Sequence, residues 1–100
     1  TVPIFKSNLK NGFNIEKIKE IYKNKYTGPL VTYADDLNEN GFISAALLSG
    51  KDSMIVSVFG NEDRILLTAR YDNLGKGASG AAIECLNIVL RNADTNGLEV

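Results

Sequence analysis

The sequence predicts an α/β fold, laid out as an α+β fragment: a mixed sheet with an antiparallel hairpin and two main helices. Three observations carry this. Residues 14–26 repeat apolar side chains at helical spacing. Two β-rich runs, residues 53–60 and 64–72, flank the short connection Gly60-Asn61-Glu62-Asp63. A second helix pattern over residues 76–91 opens on small residues and continues almost wholly apolar.

Taken in order, residues 2–6 (Val-Pro-Ile-Phe-Lys) read as a short strand, with Pro3 suiting an edge or a strand beginning. Asn8 to Gly12 is rich in turn formers. In the first helix, Ile15, Ile18, Ile21 and Tyr22 share one face of a 3.6-residue period. Asn14 is placed to cap it. Glu16 complements the positive end of the helix dipole, and Lys23 and Lys25 the negative end. Gly28-Pro29 marks the stop. Residues 30–34 read as a strand, 35–41 as a polar loop, and 42–48 as a helical turn. Residues 53–60 and 64–72 form an antiparallel hairpin with apolar residues on both faces, so both faces are expected to be covered. The helix over 76–91 is apolar nearly all round in its second half and is expected to be buried. Residues 92–100 read as a loose tail ending in a short strand.

The chain has 100 residues and 44% hydrophobic content, enough for one domain at most and too apolar for intrinsic disorder. Eleven Lys and Arg against twelve Asp and Glu exclude a globally basic nucleic-acid binder. Charge is uneven: residues 1–28 carry six Lys and two Glu, whereas residues 29–63 carry one Lys and six acidic residues. The basic helix reads as a solvated face. Its charged side lacks aromatic interleaving, so no nucleic-acid partner is expected. No apolar run reaches the roughly 18–20 residues needed to span a bilayer, so no membrane partner is expected. The segment Thr1–Lys10 does not have the charged start and long apolar stretch of a signal peptide. One cysteine excludes an internal disulfide, and the lack of histidine removes Ser-His and Cys-His nucleophilic schemes and most transition-metal catalysis.

Glycine inside a helix costs about 1 kcal/mol relative to alanine, so Gly77 and Gly80 need a reason. Two remain open: tight packing against the sheet, or close approach of a ligand to backbone N–H groups at a helix start. Gly75, Gly77 and Gly80 spell G-x-G-x-x-G, yet no following βαβ unit completes a dinucleotide fingerprint.

The block Asp72-Asn73-Leu74-Gly75-Lys76-Gly77-Ala78-Ser79-Gly80-Ala81-Ala82, followed by Leu86-Asn87, resembles the C-terminal signature of N-acetyl-gamma-glutamyl-phosphate reductases in their shorter form. Val58-Phe59-Gly60-Asn61-Glu62 and Leu66-Leu67-Thr68-Ala69-Arg70 are similar too. The resemblance is close from about residue 53 to 90 and loose but collinear from Val2 to Leu48. Aspartate-semialdehyde dehydrogenases carry a related block, but Ser79-Gly80-Ala81-Ala82 fits the reductases better.

The resemblance implies an enzyme of arginine biosynthesis that reduces N-acetyl-glutamyl phosphate to the semialdehyde with NADPH. Its chemistry runs through a thioester on a cysteine, with a histidine as acid and base. Histidine is missing here, and Cys85 falls inside the second helix, where it reads as a packed core thiol. The chain is therefore expected to be a C-terminal fragment, inactive alone, with no catalytic residue and no metal ligand of its own. Residues 1–74 would belong to the catalytic and dimerisation domain, and 75–92 to a helix that packs on an absent Rossmann domain. Residues 93–100 would form the tail. Asn73, Lys76, Gly77, Ala78, Ser79 and Gly80 are the expected cofactor-proximal stretch, facing the nicotinamide end of NADP. Glu84 stands where many relatives have glutamine, and is expected to face solvent. A small-molecule substrate, a homo-oligomer and a cytoplasmic location follow from the same resemblance. The alternatives are an aspartate-semialdehyde dehydrogenase relative, or a non-catalytic dimerising module.

Overall fold

The computed structural model describes residues 1–36 and 39–100. Its elements are β1 (Val2–Phe5), a 3-10 turn (Lys6–Asn8), α1 (Ile15–Lys25), β2 (Val31–Tyr33), β3 (Met54–Gly60), β4 (Arg64–Tyr71), a π-helical turn (Gly75–Ser79) and α2 (Gly80–Leu90). The strands form one mixed sheet in the order β1-β4-β3-β2. β3 and β4 pair antiparallel with Met54 opposite Tyr71 and Gly60 opposite Ile65. β1 adds antiparallel to β4, and β2 adds parallel to β3.

The hairpin turn follows from its residues. Gly60 has φ 127°, and a Cβ there would lie 2.1 Å from the Arg64 carbonyl oxygen, so only glycine fits. Asn61 then closes the turn: its Oδ1 accepts from the N–H groups of Asp63 and Arg64.

Strand register sorts the sheet into two faces. Ile4, Val56, Val58, Ile65 and Leu67 share one of them with Tyr33. Helix α1 lies on that face, capped by Asn14, whose side chain accepts from the Lys17 N–H at 2.9 Å. Ile18, Val58 and Ile65 form the buried centre, and Ile15, Tyr22 and Tyr33 pack around it. The opposite face carries Ser57 and Thr68, both buried, with Thr68 Oγ1 donating to the Ser57 carbonyl oxygen at 3.3 Å. Here the loop around Gly41 and Ile43 lies beside Phe59 and Leu66 and closes only part of the surface.

Three expectations are corrected. Residues 42–48 do not form a helical turn. Ser44 Oγ instead accepts from the Ala46 N–H, and successive turns run to Gly50, so local side-chain bonding competes with helix. The tail contains no strand. It curls in turns with Asn96 N–H donating to Ala93 and Leu98 N–H to Thr95, because Asn87 holds it against α2. The apolar helix α2 is not buried within this chain. Leu86, Ile88, Val89 and Leu90 are more than half exposed, and Cys85 is exposed rather than a core thiol. The reason is placement: α2 packs on the π-helical turn and the tail rather than on the sheet. The radius of gyration, 15.2 Å, reflects this, since a compact chain of this length has about 13 Å.

Asn87 is the buried polar residue of α2, 4% exposed, and its Nδ2 donates to the carbonyls of Asp94 and Asn96. Replacing Asn87 with alanine removes both bonds and is expected to cost about 1–3 kcal/mol. Hydrogen exchange will show faster exchange at the Asn96 and Leu98 amides and unchanged exchange at Ile18.

Candidate functional site

The junction between β4 and α2 is built by two carboxylates at one end of the hairpin. Asp72 follows β4. Its Oδ1 accepts from the N–H groups of Leu74 (2.7 Å) and Gly75 (2.8 Å), and its Oδ2 from Gly50 (2.9 Å). Its carbonyl oxygen accepts from the Gly77 N–H. The donors Gly50, Gly75 and Leu74, in that order, hold the Asp72 carboxyl below its usual value. Asp52 precedes β3. Its Oδ2 accepts from the Glu99 N–H at 3.0 Å, and its own N–H donates to the Glu99 carbonyl.

The glycines fit against these two residues. A Cβ on Gly80 would lie 2.2 Å from Asp52 Oδ1, and one on Gly75 would lie 2.3 Å from the Lys51 carbonyl oxygen. A Cβ on Gly77 would meet the Asp72 carbonyl oxygen and the Tyr71 ring at 3.2 Å. Close packing accounts for Gly75 and Gly80, but against the segment before β3 rather than against the sheet itself. The backbone widens here into i→i+5 bonds, Gly77 to Asp72, Ser79 to Leu74 and Gly80 to Gly75.

Asn73, Lys76, Gly77, Ala78, Ser79 and Gly80 all lie on this one turn. Asn73, Gly77 and Ala78 are exposed, and Gly80 is buried. Ser79 Oγ donates to the Leu74 carbonyl at 2.8 Å. The Lys76 side chain is only 9% exposed and pairs with Glu84 two turns along. Glu84 therefore does not simply face solvent: its carboxylate holds the one cation of the glycine-rich turn. Asp52 and Tyr71 were not singled out by sequence reasoning. Asp72 was part of the recognised block, and its Asp-x-x-Gly spacing is a turn-capping signal. Nothing local in the sequence marks Asp52.

Elsewhere, a cleft of about 730 Å³ opens between α1 and the sheet, lined by Glu16, Lys19, Glu20, Lys23, Tyr33 and Asp35 among others. Two of its wall carboxylates are paired with lysines of α1, Glu20 with Lys17 at 2.8 Å and Glu16 with Lys19 at 3.9 Å. Burial, together with the hydrogen bond that Tyr33 donates to Asp35, raises the Tyr33 phenol far above its usual value. Among the described residues no helix is long and apolar enough to cross a membrane.

No family model matches the chain. It is homologous over most of its length to N-acetyl-gamma-glutamyl-phosphate reductases. With those of Brucella ovis, Brucella canis and Brucella abortus it shares 38% identity in an alignment of 94 residues, which takes in 89% of this chain and 30% of each relative. The chain thus spans under a third of the length of the relatives it matches.

The carboxylate geometry sets the expected outcome at Gly80 and Asp72, and the open space at Gly28 supplies a contrast. Gly80→Ala adds a methyl against an Asp52 side chain that is already fixed by Glu99, and is expected to destabilise by about 1–3 kcal/mol despite the helix propensity gained. Gly28→Ala, with open space around its Cβ, is expected to change stability by less than about 0.5 kcal/mol in the same denaturant titration. The folded-state pKa of Asp72 is depressed, so its contribution is complete above the unfolded value of about 3.9 and is lost as pH falls through the folded value. Thermal melts between pH 6 and 2 are expected to show Asp72→Asn lowering stability near pH 6 and flattening the loss below about pH 4.

Proposed function

We propose that this chain works as part of an NADPH-dependent reductase that converts N-acetyl-glutamyl phosphate to its semialdehyde, a cytoplasmic step of arginine biosynthesis. The observation that supports this reading most is the 38% identity to reductases of that name across 89% of the chain. In this reading the nucleophilic cysteine, the acid-base histidine and the dinucleotide-binding domain belong to other parts of the protein. The chain alone is inactive in this reading: it has no histidine, and Cys85 sits exposed in the second turn of α2.

The glycine-rich turn suits one end of the cofactor better than the other. The N–H groups of Leu74, Gly75, Gly77 and Ser79 are already donated within the chain, and Lys76 is paired with Glu84, so the turn offers little to a phosphate. What it presents is a low surface at Gly77 and Ala78, bordered by the Asn73 amide. A flat, neutral ring such as nicotinamide fits such a surface, and NADP bound to a neighbouring domain would supply the hydride there. Asn73, Lys76, Gly77, Ala78, Ser79 and Gly80 are then cofactor-proximal. Gly77 and Ala78 give room, Asn73 is the side chain free to orient an amide, and Ser79 and Gly80 fix the backbone. Lys76 and Glu84 hold each other along the same helix.

The exposed apolar residues of α2 support a second part of this reading: the helix is covered by the cofactor-binding domain in a homo-oligomeric enzyme.

A chimera tests it. The Brucella ovis reductase with its matching segment replaced by this chain is expected to keep NADPH oxidation dependent on N-acetyl-glutamyl phosphate. Gly77→Val in that chimera is expected to lower kcat/KM at least about 100-fold, a transition-state loss of about 2.7 kcal/mol. A folded chimera without activity would count against the reading, as would substrate-dependent NADPH oxidation by the isolated chain.

A further inference from the structure

Strand β4 runs further than the strand beside it. β1 pairs with β4 from Val2 opposite Leu67 to Phe5 opposite Arg64, and β4 continues to Tyr71. Hydrogen-bonded and non-hydrogen-bonded pairs alternate along an antiparallel ladder. The Lys6 N–H donates to the Asp63 carbonyl, and the Asn61 N–H to the Arg64 carbonyl. The odd-numbered residues of β4 therefore turn their backbone groups toward β1, and the even-numbered ones toward β3. Beyond Leu67 the odd-numbered residues are Ala69 and Tyr71, both exposed. Among the described residues their N–H and C=O groups meet no partner strand. Such an edge is a template for one more strand.

Room for that strand is present. A cavity of about 360 Å³ lies along this stretch, lined by Ala69, Arg70 and Tyr71 together with Ile43, Leu47 and Leu48. Successive side chains of a strand point to opposite faces, so a hollow reached by three consecutive residues opens at the strand's edge. Its other wall is aliphatic and gains from being covered. β1 is aimed at it: Thr1 lines the neighbouring hollow with Leu66 and Thr68. Each step back along β1 is one step forward along β4. The first residue before Thr1 would thus stand opposite Ala69, the third opposite Tyr71 and the fourth opposite Asp72.

We infer that in the whole protein the polypeptide leading into Thr1 extends β1 along β4 as far as Asp72, its backbone pairing with Ala69 and Tyr71. The inference rests on the reductase reading, in which the cofactor-binding and catalytic parts precede this chain; the aligned segment is 30% of each relative. The extended strand begins beside the carboxylate that holds the Gly50 loop and the glycine-rich turn, and so ties the incoming polypeptide to the cofactor-proximal stretch.

The test uses the chimera with the Brucella ovis reductase, in which that relative's own residues lead into Thr1. Hydrogen exchange at the Ala69 and Tyr71 amides is expected to be at least about 100-fold slower than at free amides of the same sequence, at every protein concentration. A cysteine placed immediately before Thr1 is expected to close a disulfide with Ala69→Cys, since directly opposed residues of a hydrogen-bonded pair lie about 5.5 Å apart. It is not expected to close one with Tyr71→Cys, two positions out of register. Peptide masses after digestion read the disulfide, and the Ile65 amide reports folding. Should the chimera fail to fold, this chain extended by the same Brucella ovis residues gives both readings. Free exchange at Ala69 and Tyr71 in a folded sample overturns the inference. Protection without the register-specific disulfide also overturns it, giving the edge to another occupant, as does protection that grows with concentration, giving it to a second copy. NADPH oxidation is read separately on the chimera without added cysteines: inactivity beside a closed disulfide counts against the reductase reading and supports the strand pairing.

Discussion

The two carboxylates at the open end of the central hairpin organise most of what lies outside the sheet. Asp72 gathers the Gly50 loop and the first N–H groups of the π-helical turn, and Asp52 gathers the tail through Glu99. Each is an ionised acceptor serving backbone donors, a stronger arrangement than a neutral pair. Because the strands hold Asp52 and Asp72 side by side, three segments distant in sequence meet at one point. The glycines follow from this arrangement. Gly75 and Gly80 come so close to Lys51 and Asp52 that a methyl group has no room. The glycine-rich block is thus first a packing device, and its exposed portion at Gly77 and Ala78 is what the packing leaves available.

The parts of the fold legible in the sequence are those fixed by local pattern. Ile15, Ile18, Ile21 and Tyr22 marked α1, and Asn14 caps it as its type suggests. The alternating runs around Gly60 and Asn61 marked the hairpin, whose register then decides which side chains share a face. What the sequence did not disclose depends on distant partners. Residues 42–48 have a composition that a helix accepts, yet they serve as a cover over the sheet. Cys85 and its apolar neighbours carry the composition of a buried helix, but burial needs a surface opposite, and among the described residues the π-helical turn and the tail cover only the side of α2 that carries Asn87.

At the candidate site the balance was similar. Contiguity alone kept Asn73 through Gly80 together, so the stretch could be named without knowing the fold. The partners that shape it come from far away: Asp52 lies some twenty residues upstream, and Glu84 reaches back over two helical turns. The Lys76–Glu84 pair changes the character of the turn, because its lysine is neutralised at close range. Charge counted along a sequence overstates the field that a folded turn projects.

The π-helical turn between Gly75 and Ser79 has a further consequence for how α2 is aimed. Such a turn holds one more residue per hydrogen-bonded loop than an α-helix, as if a single residue had been inserted. Shortening the turn by one residue would let the helix run on regularly and rotate all that follows by about 100°. The side of α2 that carries Leu86 and Val89 would then point elsewhere, while Asn87 would lose its alignment with the tail. The direction of the apolar surface is thus encoded in a helical phase set many residues before it, which makes the length of this segment as restrictive as its composition.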